Sequence, residues 1–231
     1  MVAIAAMLSV GVASCSKDDN NSRNGENNDG GGSATIEWVD LGLPSGLLWA
    51  KCNLGATAPE EYGNYYAWGE VQSKEVYTWG TYHYCTAVDN YLIALSKYNT
   101  SNDFGTPDYM VTLQDEDDAA IVAIGNGARI PTKTEWEELI ANTTVEWATQ
   151  NGVNGCKFTG SNGKVLFLPA SGHREGSELK FVGSSVKYWS SSLYVSNPRQ
   201  AYYFFSSVTP YDLSHTYRMY GCSVRPVRSA Q

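Results

Sequence analysis

These 231 residues predict an α+β domain: two short helices, many short twisted antiparallel strands and much irregular chain. Three observations point there. A helix start is written out at Thr132, which stands three residues ahead of Glu135 in the pattern of a capping box. Trp136, Leu139 and Ile140 follow on one face. Asn151-Gly152, Asn154-Gly155 and Asn162-Gly163 punctuate strand-forming runs, and such pairs favour tight hairpins because both residues tolerate positive φ. Composition supplies the third observation. Only 17% of residues are charged against 42% hydrophobic, and 16 tyrosines sit among abundant Gly, Ser and Asn, a balance that suits a loop-rich sheet domain better than a helical bundle.

Taken in order, the chain begins with a small apolar run, Met1 to Ser14, too short to span a bilayer and of the length of a secretory h-region. It has no basic n-region, which places the expected start upstream. Val12-Ala13-Ser14-Cys15 resembles a bacterial lipobox, so Cys15 is the expected lipidation site and residues 1–14 the expected signal peptide. Two or more acyl chains there would anchor the protein stably, whereas one alone is marginal. Residues 15–35 hold no apolar side chain between Cys15 and Ala34 and read as a flexible tether. Ser16-Lys17-Asp18-Asp19 reads either as a surface-export signal of Bacteroidetes-type lipoproteins or as a plain solvated charge cluster. The globular domain is expected from residue 36 to residue 231.

Trp38 to Ala50 reads as two strands around a Pro44-Ser45-Gly46 turn. Pro59 to Glu70 is aromatic without period, and Tyr65 and Trp68 are expected in the core. Val71 to Met110 reads as loop. Gln114 to Asp118 places acids ahead of Ala119-Ala120-Ile121, which suits a helix N-terminus, where negative charge is favoured. The Asp-x-Asp-x-Asp-Gly spacing of a calcium loop is absent. The second helix starts at Thr132. Strands follow at Thr144–Thr149, Gly155–Thr159 and Lys164–Pro169, then a loop over Ser171–Ser184. The last strands are expected near Trp189–Ser192, Ala201–Ser207 and Ser223–Val227, with turn-rich chain over Tyr194–Gln200 and Thr209–Tyr220.

The segment Arg129-Ile130-Pro131-Thr132-Lys133-Thr134-Glu135-Trp136 resembles the R-[LIM]-P-T-x-x-E-W motif of formylglycine-generating, sulfatase-modifying proteins, a branch of the C-type-lectin-like fold. Taken with VDLGLPSGLLWA, YYAWGE, DDAA, YWSSS and SVRPV, it is more similar still to the Fibrobacter succinogenes major paralogous domain proteins, which occur as surface lipoproteins of Bacteroides. The resemblance covers about Ile36 to Val227. It implies a C-type-lectin-like domain, lipid-anchored on the bacterial outer membrane and facing outward.

Catalysis finds little support in the residues. The copper-binding cysteine pair of formylglycine-generating enzymes has no counterpart between Tyr194 and Arg199, and Cys222 stands alone beyond it. His83, His173 and His215 lack paired spacing, Ser190 to Ser192 lack a nucleophile-elbow context, and Glu135, Glu137 and Glu138 are explained by the helix start and its solvated face. No catalytic residue, metal or cofactor is expected. The net charge of −8, without a basic stripe, argues against nucleic acid. Cys52, Cys85, Cys156 and Cys222 permit two disulfides or buried thiols.

Function concentrates between Tyr188 and Val227, where seven of the 16 tyrosines lie. Tyr offers a rigid amphipathic surface at low entropic cost, and Ser and Asn add adaptable hydrogen bonds. In the resembled fold this region faces ligands, and in some members a diversity-generating retroelement rewrites it. The expected ligand-binding residues are Tyr194, Ser196, Asn197, Arg199, Tyr202, Tyr203, Tyr211, Asp212, Ser214, His215, Tyr217 and Tyr220, with Trp189, Ala201, Arg218 and Gly221 as framework. The expected partner is a protein or glycan ligand, and contact with membrane is through the lipid alone. A structural subunit of a surface or fimbrial assembly is the alternative, ahead of a sulfatase-modifying-type enzyme.

Overall fold

Turns and caps legible in the chain set most of the local structure. The computed structural model describes residues 36–89, 92–208 and 211–230, and the signal, lipidation and tether readings lie outside them. Strands β1 (Trp38–Asp40) and β2 (Leu48–Ala50) pair antiparallel around the Pro44-Ser45-Gly46 turn, closed by the Gly46 amide on the Leu43 carbonyl at 2.9 Å. Near the far end of the chain, β13 (Val227–Arg228) adds to the other edge of β2, with Val227 opposite Trp49.

The acid-led segment divides in two. Asp115–Asp117 make a 3-10 turn, and α1 (Ala119–Ile124) starts behind Asp118, whose carboxylate caps the Ala120 and Ile121 amides. In α2 (Lys133–Asn142) the Thr132/Glu135 capping box forms as the spacing predicts, and Arg129 grips the Glu135 carboxylate. Trp136 and Leu139 are fully buried. Trp136 lies flat on Phe204, centroids 5.1 Å apart at 11°, and meets Trp49 at 4.7 Å.

Three strands, β5 (Thr143–Gln150), β6 (Val153–Gly160) and β7 (Val165–Pro169), form a meander where strands were expected. Asn151-Gly152 makes the first turn with both φ angles positive, 49° and 84°. Asn154-Gly155 makes no turn. It lies inside β6, and a Cβ on Gly155 would stand 2.2 Å from the Leu168 carbonyl oxygen.

Other readings are also corrected. The expected loop at Ser171–Ser184 holds the hairpin β8 (His173–Glu175) and β9 (Glu178–Lys180), and Val71–Met110 holds β3 (Cys85–Asp89) paired with β4 (Leu92–Leu95). The three-stranded sheet of β10 (Val186–Leu193), β11 (Gln200–Ser206) and β12 (Tyr211–Tyr217) gains its third strand from a segment that reads as turns. Ser223–Val227 is no continuous strand: Cys222 and Ser223 make single bridges to Tyr66 and Tyr188 before β13 begins.

Two cores result. One, around Trp49, Trp136, Phe158 and Phe204, lies under α2. The other is built from Tyr65, Tyr66, Trp68, Tyr77, Tyr82, Tyr84, Tyr98 and Trp189, of which Tyr65 and Trp68 were expected in the core. Buried ring donors generally find acceptors, and although Trp49 Nε1 has none among the described residues, most of the others do. Tyr65 donates to Ser171 O (2.6 Å), Tyr82 to Trp68 O (2.7 Å), Trp68 Nε1 to Ser190 O (2.7 Å) and Trp189 Nε1 to Tyr66 O (2.7 Å). These rings thereby tie the irregular aromatic segment to β10 and to the chain around it.

Candidate functional site

Register decides which of the tyrosines meet. In the β11–β12 pairing Tyr202 faces His215, Tyr203 faces Ser214 and Phe205 faces Asp212. Directly opposed residues share a face and neighbours along a strand alternate. Tyr202 and His215 therefore point to one side and Tyr203 and Ser214 to the other.

On the Tyr202 side a ring platform forms. Tyr194 and His215 stack with centroids 3.8 Å apart at 7°, and Tyr202 stands edge-on to Tyr194 at 5.5 Å and 90°. His215 Nδ1 lies 2.9 Å from Gln200 Oε1 and donates to it, since an amide oxygen can only accept. The turn carrying Tyr194 is closed by its amide on Gln200 O (3.0 Å) and by the Asn197 amide on its carbonyl (3.0 Å). Tyr194 and Tyr202 are half-buried and His215 is exposed.

Helix α2 forms the adjoining wall. The Lys133 amide donates to Ser192 Oγ (3.1 Å), which pins the helix start to β10. Lys133 Nζ lies 5.3 Å from the Tyr202 ring centroid and is ion-paired with Glu137. A groove of about 290 Å³ continues from there, lined by Lys133, Glu137, Ile140, Tyr211, Asp212 and Leu213. Lys133, Glu137 and Ile140 are absent from the sequence-predicted set, because only the packing of α2 on β12 brings them there.

The remaining predicted residues divide. Tyr203 is corrected from surface to core. It is 7% exposed, edge-on to Trp189 at 6.2 Å, and burial pushes its phenol up to about 12. Ser214, opposite it in register, shares that face. Tyr217 and Tyr220 lie apart from the platform. Tyr217 packs edge-on to Trp79 (6.0 Å) and Tyr220 (5.9 Å), while Tyr220 donates to Glu175 (3.2 Å). Asn197 and Arg199 build the turn itself: Asn197 Oδ1 accepts from Arg199 Nε (3.1 Å), and the guanidinium lies 4.8 Å from the Phe104 ring centroid. Ser196, Tyr211 and Asp212 are exposed, and the last two line the groove.

The framework residues are buried. Arg218 is 0% exposed and donates to Tyr82 Oη (2.8 Å) and to the carbonyls of Pro198 (2.8 Å), Tyr98 (3.0 Å) and Lys97 (3.1 Å). Its grip on Pro198 holds the 194–200 turn from inside.

Ser190 and Ser191 are buried, and Ser192 is engaged with the helix start. Among the described residues no three His, Cys, Asp or Glu side chains converge as a metal site, and no disulfide forms. Burial pushes the Cys156 thiol up to about 11 and Cys222 to about 12, which makes both poor nucleophiles. Comparison with protein-family models, curated proteins and solved structures finds no match.

Proposed function

We propose that this chain is a non-catalytic binding module of C-type-lectin-like architecture. It is anchored through a lipid on Cys15 at the bacterial surface, and takes a protein or glycan ligand on the Tyr194/Tyr202/His215 platform and the adjoining α2–β12 groove. One observation carries the reading: three accessible rings lock one another in place on a rigid sheet, beside a groove with both charge signs. Rings already ordered by mutual stacking lose little entropy when a ligand docks, so more of the contact energy appears as affinity. The groups around the platform suit recognition better than reaction, since Gln200, Lys133 and Glu137 are each already paired.

The test is a protein and glycan array probed with the chain and with Tyr202→Ala and His215→Ala. Removal of a central aromatic anchor is expected to cost about 2 kcal/mol, roughly 30-fold in affinity. Thermal unfolding should move little, because neither side chain is core. Retention of full affinity by both variants would refute the site. Collapse of unfolding in both would show the rings to be structural. If the exposed positions are also diversified, a near-copy of the gene's 3′ end should lie beside a reverse-transcriptase gene.

A further inference from the structure

We propose a second binding site, distinct from the platform, for a small, neutral, hydroxyl-rich ligand of monosaccharide size. It is a cleft of about 450 Å³ between the 69–74 turn, the 81–84 segment and the Glu116-Asp117 turn, and it shares no lining residue with the α2–β12 groove. Its volume falls within the roughly 300–1,000 Å³ of small-molecule sites. The floor is drawn tight by Gly69 at φ +79°, where a Cβ would stand 3.0 Å from Tyr84 Cε2.

Charge selects the ligand class. Lys74 Nζ lies 2.7 Å from both carboxylate oxygens of Glu70, which also accepts the His83 amide at 2.8 Å. Lys97 bridges Glu116 (2.9 Å) and Asp117 (2.5 Å), and Asp117 accepts the Tyr84 and Tyr98 hydroxyls as well. Three carboxylates and one ammonium group, that of Lys74, thus line the cleft, with Lys97 outside the lining and paired to two of the carboxylates. An anion meets excess negative charge, and a divalent cation would have to displace a lysine from its carboxylate. A neutral ligand meets no such cost.

Hydrogen bonding points the same way. Glu70 accepts three contacts of the about four that a carboxylate can take, leaving one. The Gln72 amide, the Ser73 hydroxyl and the His83 imidazole line the same cleft and show no side-chain hydrogen bond among the described residues. Donors and acceptors are therefore both present in the lining, which matches hydroxyls, since each hydroxyl both donates and accepts. The exposed His83 ring, packed edge-on against the buried Tyr84 ring at 4.8 Å and 79°, is held in place to meet the C–H face of a sugar ring. The charged groups are already fixed by one another, so little order remains to be imposed on binding.

The experiment is an amide-resolved NMR titration of the chain with glucose, galactose, mannose and N-acetylglucosamine separately, and with inorganic phosphate and calcium chloride as charged probes. At least one sugar is expected to shift the amides of Gln72, Ser73 and His83 saturably with Kd about 1 mM. His83→Ala, at an exposed position, should weaken that binding at least tenfold, and Glu70→Gln should do so independently. No saturable shift with any sugar, or unchanged affinity in both variants, overturns the proposal. Shifts confined to Tyr194, Tyr202 and His215 overturn the cleft while supporting the platform. Saturation by phosphate or calcium alone overturns the neutral ligand class.

Discussion

Arg218→Met tests whether the 194–200 turn is held from inside. The guanidinium is fully buried, ringed by Trp68, Tyr82 and Tyr98 at 5.1, 5.2 and 5.8 Å, and spends its donors on one phenol and three carbonyls. Methionine fills much of the volume but donates nothing. Two of the carbonyls, Tyr98 O and Pro198 O, are bonded in fully buried surroundings, and a buried acceptor left unsatisfied costs about 1–3 kcal/mol. Against that, removing a desolvated cation recovers part of its burial cost. The expected net loss is about 3 kcal/mol, or roughly 6–12 °C in Tm for a chain of this size. Urea unfolding gives the free energy. Hydrogen exchange should accelerate at Asn197 to Gln200 above the global change, because Pro198 O loses its anchor. Arg218→Lys should recover only part, since one ammonium cannot reproduce a planar fork. A loss under about 1 kcal/mol, or no local acceleration, would refute the reasoning.

Two further predictions concern stability. Burial, with Lys187 nearby, holds His173 near 4 against an ordinary 6.5, so below 6.5 the unfolded chain takes a proton that the folded chain refuses until about 4. Stability should therefore fall by about 3 kcal/mol as pH drops through that window, and His173→Gln should remove that component from the pH dependence of urea midpoints. Gly221→Ala would place a Cβ 2.6 Å from Tyr77 Cε1, in steric overlap with a ring that is itself buried. Calorimetry should show a loss of about 1–3 kcal/mol, and a neutral outcome would mean that the Tyr77 ring yields easily.

The elements legible in the sequence are those whose cause is local. Thr132 and Glu135 need only each other to cap α2, and Asn151-Gly152 needs only its own backbone freedom. Asn154-Gly155 carries the same local signal and loses. The β5–β6 ladder runs continuously from Thr143↔Gly160 to Gln150↔Val153, and a second turn at 154 would break it. Strand β12 was illegible for the opposite reason. Its Ser214, His215 and Thr216 have little apolar patterning, and its strand state comes from continuous pairing with β11. The site follows the same division. Residue type singled out Tyr194, Tyr202 and His215, but separating Tyr202 from Tyr203 needed the register. Lys133 joins them from 69 positions before Tyr202, a contact that no local pattern encodes.

The same division explains how so irregular a chain can present a fixed surface. Backbone carbonyls without a ladder must be satisfied if buried. Here two buried arginines do much of that: Arg218 for Lys97, Tyr98 and Pro198, and Arg225 for Ala50, Lys51 and Phe167. Neither forms an ion pair among the described residues, and each spends three bonds on backbone carbonyls and one on a neutral side chain, Tyr82 Oη for Arg218 and Asn53 Oδ1 for Arg225. The segments they hold are then fixed by contacts beneath the chain, whereas the platform rings project above it. Exchanging an outward side chain such as Tyr202 removes contacts with Tyr194, His215 and Lys133 but leaves the inward arginine bonds in place. Backbone shape and the chemistry of the outward face thus rest on separate residues of one stretch, and the outer set can vary at little cost to the fold.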